Sequence, residues 1–298
     1  MAVLEIKNLT KRYGRITALD NINLTIEAGN IYGLLGPNGS GKTTTLGIIL
    51  GILRQNSGSF KWFDGQYGEK YRMRIGAILE TPNFYPYLDA DHNLDIIADI
   101  KRAKNVDTTR LLEMVNLAHR RDSKFRTYSL GMKQRLAIAA TLVGDPDVVI
   151  FDEPTNGLDP EGIAEVRNIL QRVADTGKTV IMASHLLDEV EKICTHAVIL
   201  KNGKLLSTGP VGTILNDDVT IEVAAENNEA LKQILGDVPW INSVNEVRGN
   251  ILECTAESSH NGSEINALAF QKGIVITHLK TRKRSLEEEF LEITGLKS

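Results

Sequence analysis

Residues Ile31–Leu50, "IYGLLGPNGSGKTTTLGIIL", decide how the rest of the chain is read. Ile31-Tyr32-Gly33-Leu34-Leu35 has the pattern of a buried strand, and from Thr43 onward Thr44, Leu46, Ile48, Ile49 and Leu50 suit a helix. Between them, Gly36, Gly39 and Gly41 allow a tight loop with positive φ and no Cβ in the way. Such a loop turns successive backbone N–H groups toward a common anion. A helix starting near Gly41 adds the partial positive charge of its N-terminus.

Lys42 supplies a full positive charge behind the last glycine, and Thr43 a hydroxyl suited to Mg²⁺. The spacing Gly36-x-x-x-x-Gly41-Lys42-Thr43 is that of a phosphate-binding P-loop. Gly36, Pro37, Asn38, Gly39, Ser40, Gly41, Lys42, Thr43 and Thr44 are therefore the expected phosphate-contacting residues. On this stretch alone, a Gly-rich hairpin beside a surface lysine competes with that reading. The segment "DVVIFDEPTNGLDP", from Asp147 to Pro160, weighs against it. Val148–Phe151 are apolar, so Asp152 emerges at the carboxyl end of a buried strand, and Pro154 stops the ladder. The two carboxylates divide the work: Asp152 serves a metal, directly or through water, while Glu153 faces the γ-phosphate and polarises a water.

The chain has 298 residues, 42% hydrophobic and 24% charged, which suits one large domain or two smaller ones. A net charge of -4 gives no reason to expect a nucleic-acid surface. Cys194 and Cys254 form no CxxC, and the six histidines show no metal-like spacing, so neither a disulfide framework nor a zinc site is expected. The opening MAVLEIKNLTKRYG lacks a signal-peptide apolar region, and no run of about 18 apolar residues is free of charge. The expectation is a cytoplasmic protein that, if it serves a membrane, does so peripherally from the inner face.

Val3–Ile6 and Ile22–Ile26 alternate as strands, and residues of about 81–143 carry helical spacing, as in Leu111, Leu112, Met114, Val115 and Leu117. Glu161–Ala174 reads as an amphipathic helix and Thr179–Ala183 as a buried strand. Together these predict an α/β fold, a mostly parallel sheet with antiparallel strands and a helical subdomain. After Gly209-Pro210 the pattern changes. Strand 219–225, helix Glu229–Leu235, strands near Ser243–Val247 and Asn250–Thr255, helix Glu264–Gln271 and strand Ile274–Leu279 give a βαββαβ order. That is a small α+β, ferredoxin-like domain over 216–298, following a nucleotide-binding domain over 1–215. Ser285 and Glu288 have capping-box spacing ahead of Leu286, Phe290 and Ile293, an apolar stripe that needs a surface to bury against.

With "YSLGMKQRL", Tyr128–Leu136, the chain resembles the ATP-binding-cassette (ABC) family of transporter ATPases, over residues 1 to about 215. The Ser-x-Gly signature falls on Ser129 and Gly131, where an ordinary Ser-capped helix is the plainer reading. The resemblance implies that this helix start binds the γ-phosphate of ATP held by an opposite protomer. It also implies that Tyr13 stacks on adenine, that Asp159 lies in the loop crossing the dimer interface, and that His185 contacts the γ-phosphate. Taken alone, Tyr13 and His185 would be an exposed aromatic and an unremarkable histidine. Two positions depart from the family pattern. Glu80 replaces the usual Gln before the helical insert, as in the bacitracin-resistance and lantibiotic-immunity branch. It can still meet Mg²⁺ or its water but cannot donate an amide hydrogen bond. Leu130 stands where many members have Gly.

The resemblance implies an ATPase subunit that binds ATP and Mg²⁺ and hydrolyses ATP, as a homodimer or paired with a related cassette. It would power separate transmembrane permease subunits in an export-type system like those of drug and antibiotic exporters. The alternatives are a soluble cassette ATPase acting on ribosomes or DNA, and a binding module with a dead nucleotide site. The second conflicts with Lys42, Asp152, Glu153 and His185 all being present.

Overall fold

The computed structural model describes residues 1–79, 83–214, 219–247, 250–257, 259–283 and 285–295. The chain divides into two compact units, Met1–Pro210 and Val211–Ser298. In chain order the first unit begins β1 (Ala2–Tyr13), β2 (Ile16–Glu27), β3 (Ile31–Leu35), α1 (Lys42–Ile49), β4 (Ser57–Trp62) and β5 (Ile75–Ile78). Three helices follow, α2 (Ala90–Lys101), α3 (Thr108–Met114) and α4 (Leu130–Leu142). Then come β6 (Val148–Asp152), α5 (Pro160–Asp175), β7 (Thr179–Ser184), α6 (Leu187–Ile193), β8 (His196–Lys201) and β9 (Lys204–Pro210).

One sheet is antiparallel, in the order β2-β1-β4. Its first two strands run 12 residues each, longer than the alternating pieces visible in the sequence. The pairing of β1 with β2 shifts register between Ile6 and Leu9 and again before Lys11, and Asn8 and Asn21 take φ of 50° and 56°. Each bulge moves the inward positions by one residue, so the period-two signal breaks while the strand continues.

The second sheet has the order β5-β6-β7-β3-β8-β9, parallel except for β9, which closes the edge antiparallel to β8. Strands β3, β6 and β7 are buried at every residue, as expected for a parallel sheet covered on both faces. Helix α4 is buried from Gln134 to Leu142 and lies close against β5. Gly76 makes room for it: a Cβ there would stand 2.0 Å from the Thr141 carbonyl oxygen.

The second unit runs α7 (Val211–Ile214), β10 (Val219–Ala225), α8 (Asn228–Gly236), β11 (Ile241–Val247), β12 (Ile251–Ala256), α9 (Gly262–Gln271), β13 (Ile276–Lys283) and α10 (Leu286–Thr294). Its sheet has the order β11-β12-β10-β13 with antiparallel pairs throughout. β12 sits between β10 and β11, which α8 connects; this is the split βαβ arrangement of a ferredoxin-like domain. Ile221, Val223, Leu231, Leu235, Leu252 and Ile265 form its core together with Cys254, whose thiol burial pushes up to about 12. Both cysteines are buried and unbridged.

Helix α10 starts from a reciprocal capping box. The Ser285 N–H donates to Glu288 Oε2 and the Glu288 N–H to Ser285 Oγ, each at 3.3 Å. Leu286 and Phe290 are buried and Ile293 is half-buried, so the stripe has found its surface.

Two stability predictions follow from these contacts. Gly76→Val should cost about 1–3 kcal/mol of unfolding free energy, because α4 cannot move off β5 without opening the core. Ser285→Ala should cost about 1 kcal/mol by loss of the cap. Urea unfolding monitored by circular dichroism measures both, and equal midpoints for wild type and variants would refute them.

Candidate nucleotide site

In the strand order β6-β7-β3, three carboxyl ends lie side by side: Asp152 is level with Ala183, and Leu35 with Ser184. The segment after β3 is the glycine loop, the residue after β7 is His185, and the residue after β6 is Glu153. Ligands of open parallel sheets bind in the crevice at such carboxyl ends.

The loop delivers α1 with Gly41 as N-cap at φ 110° and no side-chain cap. By contrast, α2, α3, α4 and α5 are capped by Asp89, Asp107, Ser129 and Asp159. The first-turn N–H groups of α1 thus receive no side-chain acceptor, which suits an anion. Lys42 is buried, 6% exposed. Its Nζ donates to the Gly36 carbonyl at 2.8 Å and the Pro37 carbonyl at 3.5 Å, and lies 3.7 Å from Glu153 Oε1. Thr43 Oγ1 donates to Asp152 Oδ2 at 2.8 Å.

Glu153 has a left-handed φ of 50°, uncommon for a non-glycine residue and the kind of strain that concentrates at functional sites. Its N–H donates to the Ala183 carbonyl at 3.0 Å, which pins the turn to β7. His185 Nδ1 lies 2.8 Å from Glu153 Oε2, and the His185 N–H donates to the same oxygen at 3.4 Å. Lys42, Thr43, Asp152, Glu153 and His185 are therefore one connected cluster.

A cavity of about 860 Å³ opens over Lys42, Thr43, Asp152 and Glu153, with His185 behind Glu153 and not in the lining. Asn38, Gly39, Ser40, Gly41, Lys42, Thr43 and Thr44 line it, together with Asp152 and Glu153; Gly36 and Pro37 form the loop beneath and contact Lys42. The sequence reading missed Ile16, Thr17 and Ala18 from the β1–β2 hairpin, Asn156, and Asn202 from the β8–β9 turn. Nothing in their local sequence marks them. The hairpin residues and Asn202 reach the cavity because the Gly203 N–H donates to the Ser40 carbonyl at 3.0 Å and the Asp20 N–H to the Gly203 carbonyl at 2.8 Å, whereas Asn156 arrives on the turn after β6, its N–H donating to the Glu153 carbonyl at 3.1 Å.

Tyr13 is not among the lining residues. It pairs with Ile16 across the hairpin, is 45% exposed and carries Lys11 Nζ 4.8 Å from its ring centroid. Ser129 caps α4 by accepting from the Met132 N–H at 3.3 Å, and Asp159 caps α5 by accepting from the Gly162 N–H at 2.8 Å. Gly131 follows Ser129 in the first turn of α4, near Leu158. None of these three lines the cavity in the single chain, whereas Leu130 and Gln134 do. Glu80 lies outside the described residues.

The donor set at Thr43 and Asp152, a hydroxyl beside a carboxylate, is hard oxygen chemistry and fits Mg²⁺. Among the described residues there is no group of three or more His, Cys, Asp or Glu placed to hold a metal. Mg²⁺ does not require one, because it takes one or two carboxylates plus substrate phosphates and water.

A family model described as "ABC transporter" matches residues 19–156. An uncharacterized ABC transporter ATP-binding protein of Bacillus subtilis, YhcH, is 36% identical over 98% of this chain and 96% of its own length. The bacitracin transport ATP-binding protein BcrA of Enterococcus faecalis is 33% identical, again over 98% of this chain and 96% of its own. Among solved structures, the dimeric ATP-binding cassette MJ0796 in a post-hydrolysis state with ADP and Pi superposes with a TM-score of 0.62. It is 27% identical and covers 70% of this chain and 98% of its own.

Lys42→Ala should weaken ATP binding by about tenfold to a hundredfold, since a charged hydrogen bond is worth about 1.5–3 kcal/mol. Isothermal titration with ATP measures it; an unchanged Kd would remove Lys42 from the site.

Proposed function

The chain belongs to the ABC family of transporter ATPases, and from that premise we propose that it powers export through separate transmembrane permease subunits, working from the inner face of the cell membrane. The observation that carries the reading is the single cluster of Lys42, Thr43, Asp152, Glu153 and His185 at the carboxyl ends of β3, β6 and β7.

The roles follow from the chemistry. The N–H groups of residues 39–44 and the Lys42 ammonium bind the β- and γ-phosphates of ATP. To do so, Lys42 exchanges its bonds to the Gly36 and Pro37 carbonyls for phosphate oxygens. Thr43 and Asp152 would hold Mg²⁺, which when bound neutralises charge on the phosphate oxygens. Glu153 accepts a proton from the water that attacks the γ-phosphorus, and His185 holds that carboxylate in place from 2.8 Å. Tyr13 stacks on the adenine from the hairpin that also brings Ile16, Thr17 and Ala18 to the cavity. Ser129 and Gly131 read the γ-phosphate held by a second cassette, and Asp159 lies where the two chains cross. The dimer seen for MJ0796 supports that pairing. By the family resemblance, the change to Glu80 bears on coupling to the permease more than on ATP binding.

Among the described residues no helix is long and apolar enough to cross a membrane; in this reading the translocation path belongs to other subunits. Export is supported by the likeness, over almost the full length, to a Nod factor export ATP-binding protein of Cupriavidus metallidurans, 31% identical.

Glu153→Gln should keep ATP binding and lower turnover by about a hundredfold or more, the size of a general-base contribution. It should also trap an ATP-bound dimer, visible by size-exclusion chromatography. Turnover within a few-fold of wild type would reject Glu153 as the base. Co-purification without a multi-span subunit, together with ribosome co-sedimentation, would move the chain to the translation-associated class.

A further inference from the structure

The nucleotide cavity extends across β3 from one side to the other. Asp152 and Glu153 line it from the end of β6, and Asn202 lines it from beyond the end of β8, the neighbour of β3 on the opposite side. β8 runs parallel to β3 with Ile199 level with Leu35, so the turn after β8 opens at the same end of the sheet as the glycine loop.

The turn that carries Asn202 is fixed to that loop. Lys201 pairs with Lys204 across it, and Asn202 and Gly203 have φ of 50° and 75°, the two positive angles of a type I′ hairpin turn. The Gly203 N–H donates to the Ser40 carbonyl at 3.0 Å, and the Gly203 carbonyl accepts from the Asp20 N–H at 2.8 Å. A Cβ on Gly203 would stand 2.7 Å from the Ala18 carbonyl oxygen, and the same oxygen lies 2.8 Å from where a Cβ on Gly41 would be. The glycine loop, the start of β2 and the β8–β9 turn therefore meet backbone to backbone. The turn alone accounts for an asparagine at 202, since Asn-Gly is a preferred pair there. It does not account for what the side chain faces. Asn202 is exposed and lines the cavity, and among the described residues no group takes up its side-chain amide.

ATP has a fixed order of parts: γ-, β- and α-phosphate, ribose, base. In the proposed function its γ-phosphate faces Glu153, and its β- and γ-phosphates lie on the N–H groups of residues 39–44. The remainder then runs away from β6 and β7, across β3, to the side walled by Ala18 and Asn202. The ribose comes first on that path, and the base lies beyond it toward the hairpin end, where Tyr13 pairs with Ile16. We propose that Asn202 reads the ribose: its side-chain amide hydrogen-bonds a ribose hydroxyl of the bound nucleotide and makes the site prefer ribonucleotides to deoxyribonucleotides. A carboxamide both donates and accepts, and so does a hydroxyl, whereas an ionised phosphate oxygen only accepts. The inference rests on the proposed function, which places the phosphates. Thr17, also on the wall, pairs with Arg12 beside Tyr13 and belongs to the base end.

Isothermal titration of the full chain with ATP, 2′-deoxy-ATP and 3′-deoxy-ATP tests this. Wild type should bind ATP about threefold to tenfold more tightly than at least one of the two deoxy analogues, the size of a net hydrogen bond. In Asn202→Gly that preference should vanish, through weaker ATP binding with the affinity for the deoxy analogue unchanged. Glycine takes φ 50° without strain, so the turn survives the change. The readout is a ratio of affinities within one variant, so a partly unfolded sample does not disturb it. Thr17→Val should keep the wild-type ratio. Equal affinity of wild type for ATP and both analogues, or a preference that survives Asn202→Gly, would overturn the assignment. Loss of the preference in Thr17→Val instead of Asn202→Gly would overturn it too. So would an Asn202→Gly chain that loses discrimination between ATP and GTP but keeps the ribose preference, since the contact would then be to the base. If wild type binds none of these nucleotides, the proposed function itself fails. That result is separable because it appears with residue 202 unchanged.

Discussion

The passage from β3 into α1 is made in a space already occupied by two carbonyl groups. A Cβ on Gly36 would stand 2.3 Å from the Leu200 carbonyl oxygen, and one on Gly41 would stand 2.8 Å from the Ala18 carbonyl oxygen. The first carbonyl belongs to β8, beside β3 in the parallel sheet, and the second to β2 of the antiparallel sheet. The loop can exist only where both sheets approach its backbone and neither meets a side chain. Everything that faces the cavity depends on this fit: the uncapped start of α1, the burial of Lys42 and the walls from the β1–β2 and β8–β9 turns.

The charges inside that frame are arranged to be exchanged. Lys42 rests on carbonyl oxygens of its own loop and within 3.7 Å of Glu153, a neutral acceptor set and one distant carboxylate. In the proposed function a phosphate offers shorter, charge-assisted bonds to the same ammonium, which is already out of water. Glu153 is held by its backbone bond to β7 and by His185, while its φ of 50° keeps it turned away from the strand that delivers it. The local strain is tolerated because β7 and the residue after it, through Ala183 and His185, fix the turn.

The second unit is built by a different logic. Its sheet is antiparallel and its core small, and its last helix is secured by a capping box and by an Arg282 side chain shared among Glu222, Glu253 and Glu288. Arg282 belongs to the basic run before α10, and the pairing keeps the Glu222 carboxyl below its usual range despite the burial that opposes it. Edge strand β13 carries Lys280 and Arg282, charges of the kind that discourage edge-to-edge pairing.

The sequence by itself determined those features that are contiguous. Gly36–Thr44 was legible as a candidate anion-binding turn because its glycines, lysine and threonines share one short stretch between a strand and a helix. Asp152 and Glu153 had to emerge from a buried strand because four apolar residues precede them, and the βαββαβ order was carried by local periodicity. The full lengths of β1 and β2 were hidden because bulges at Asn8 and Asn21 break the alternation. The meeting of Glu153 with His185, 32 residues apart, was decided by the adjacency of β6 and β7, which no local pattern encodes. Ile16, Thr17, Ala18 and Asn202 came to the cavity wall only through packing of two sheets. Local chemistry follows from neighbouring residues in the chain, whereas contacts between distant segments follow from strand order and helix packing, which exist only once the whole core has formed.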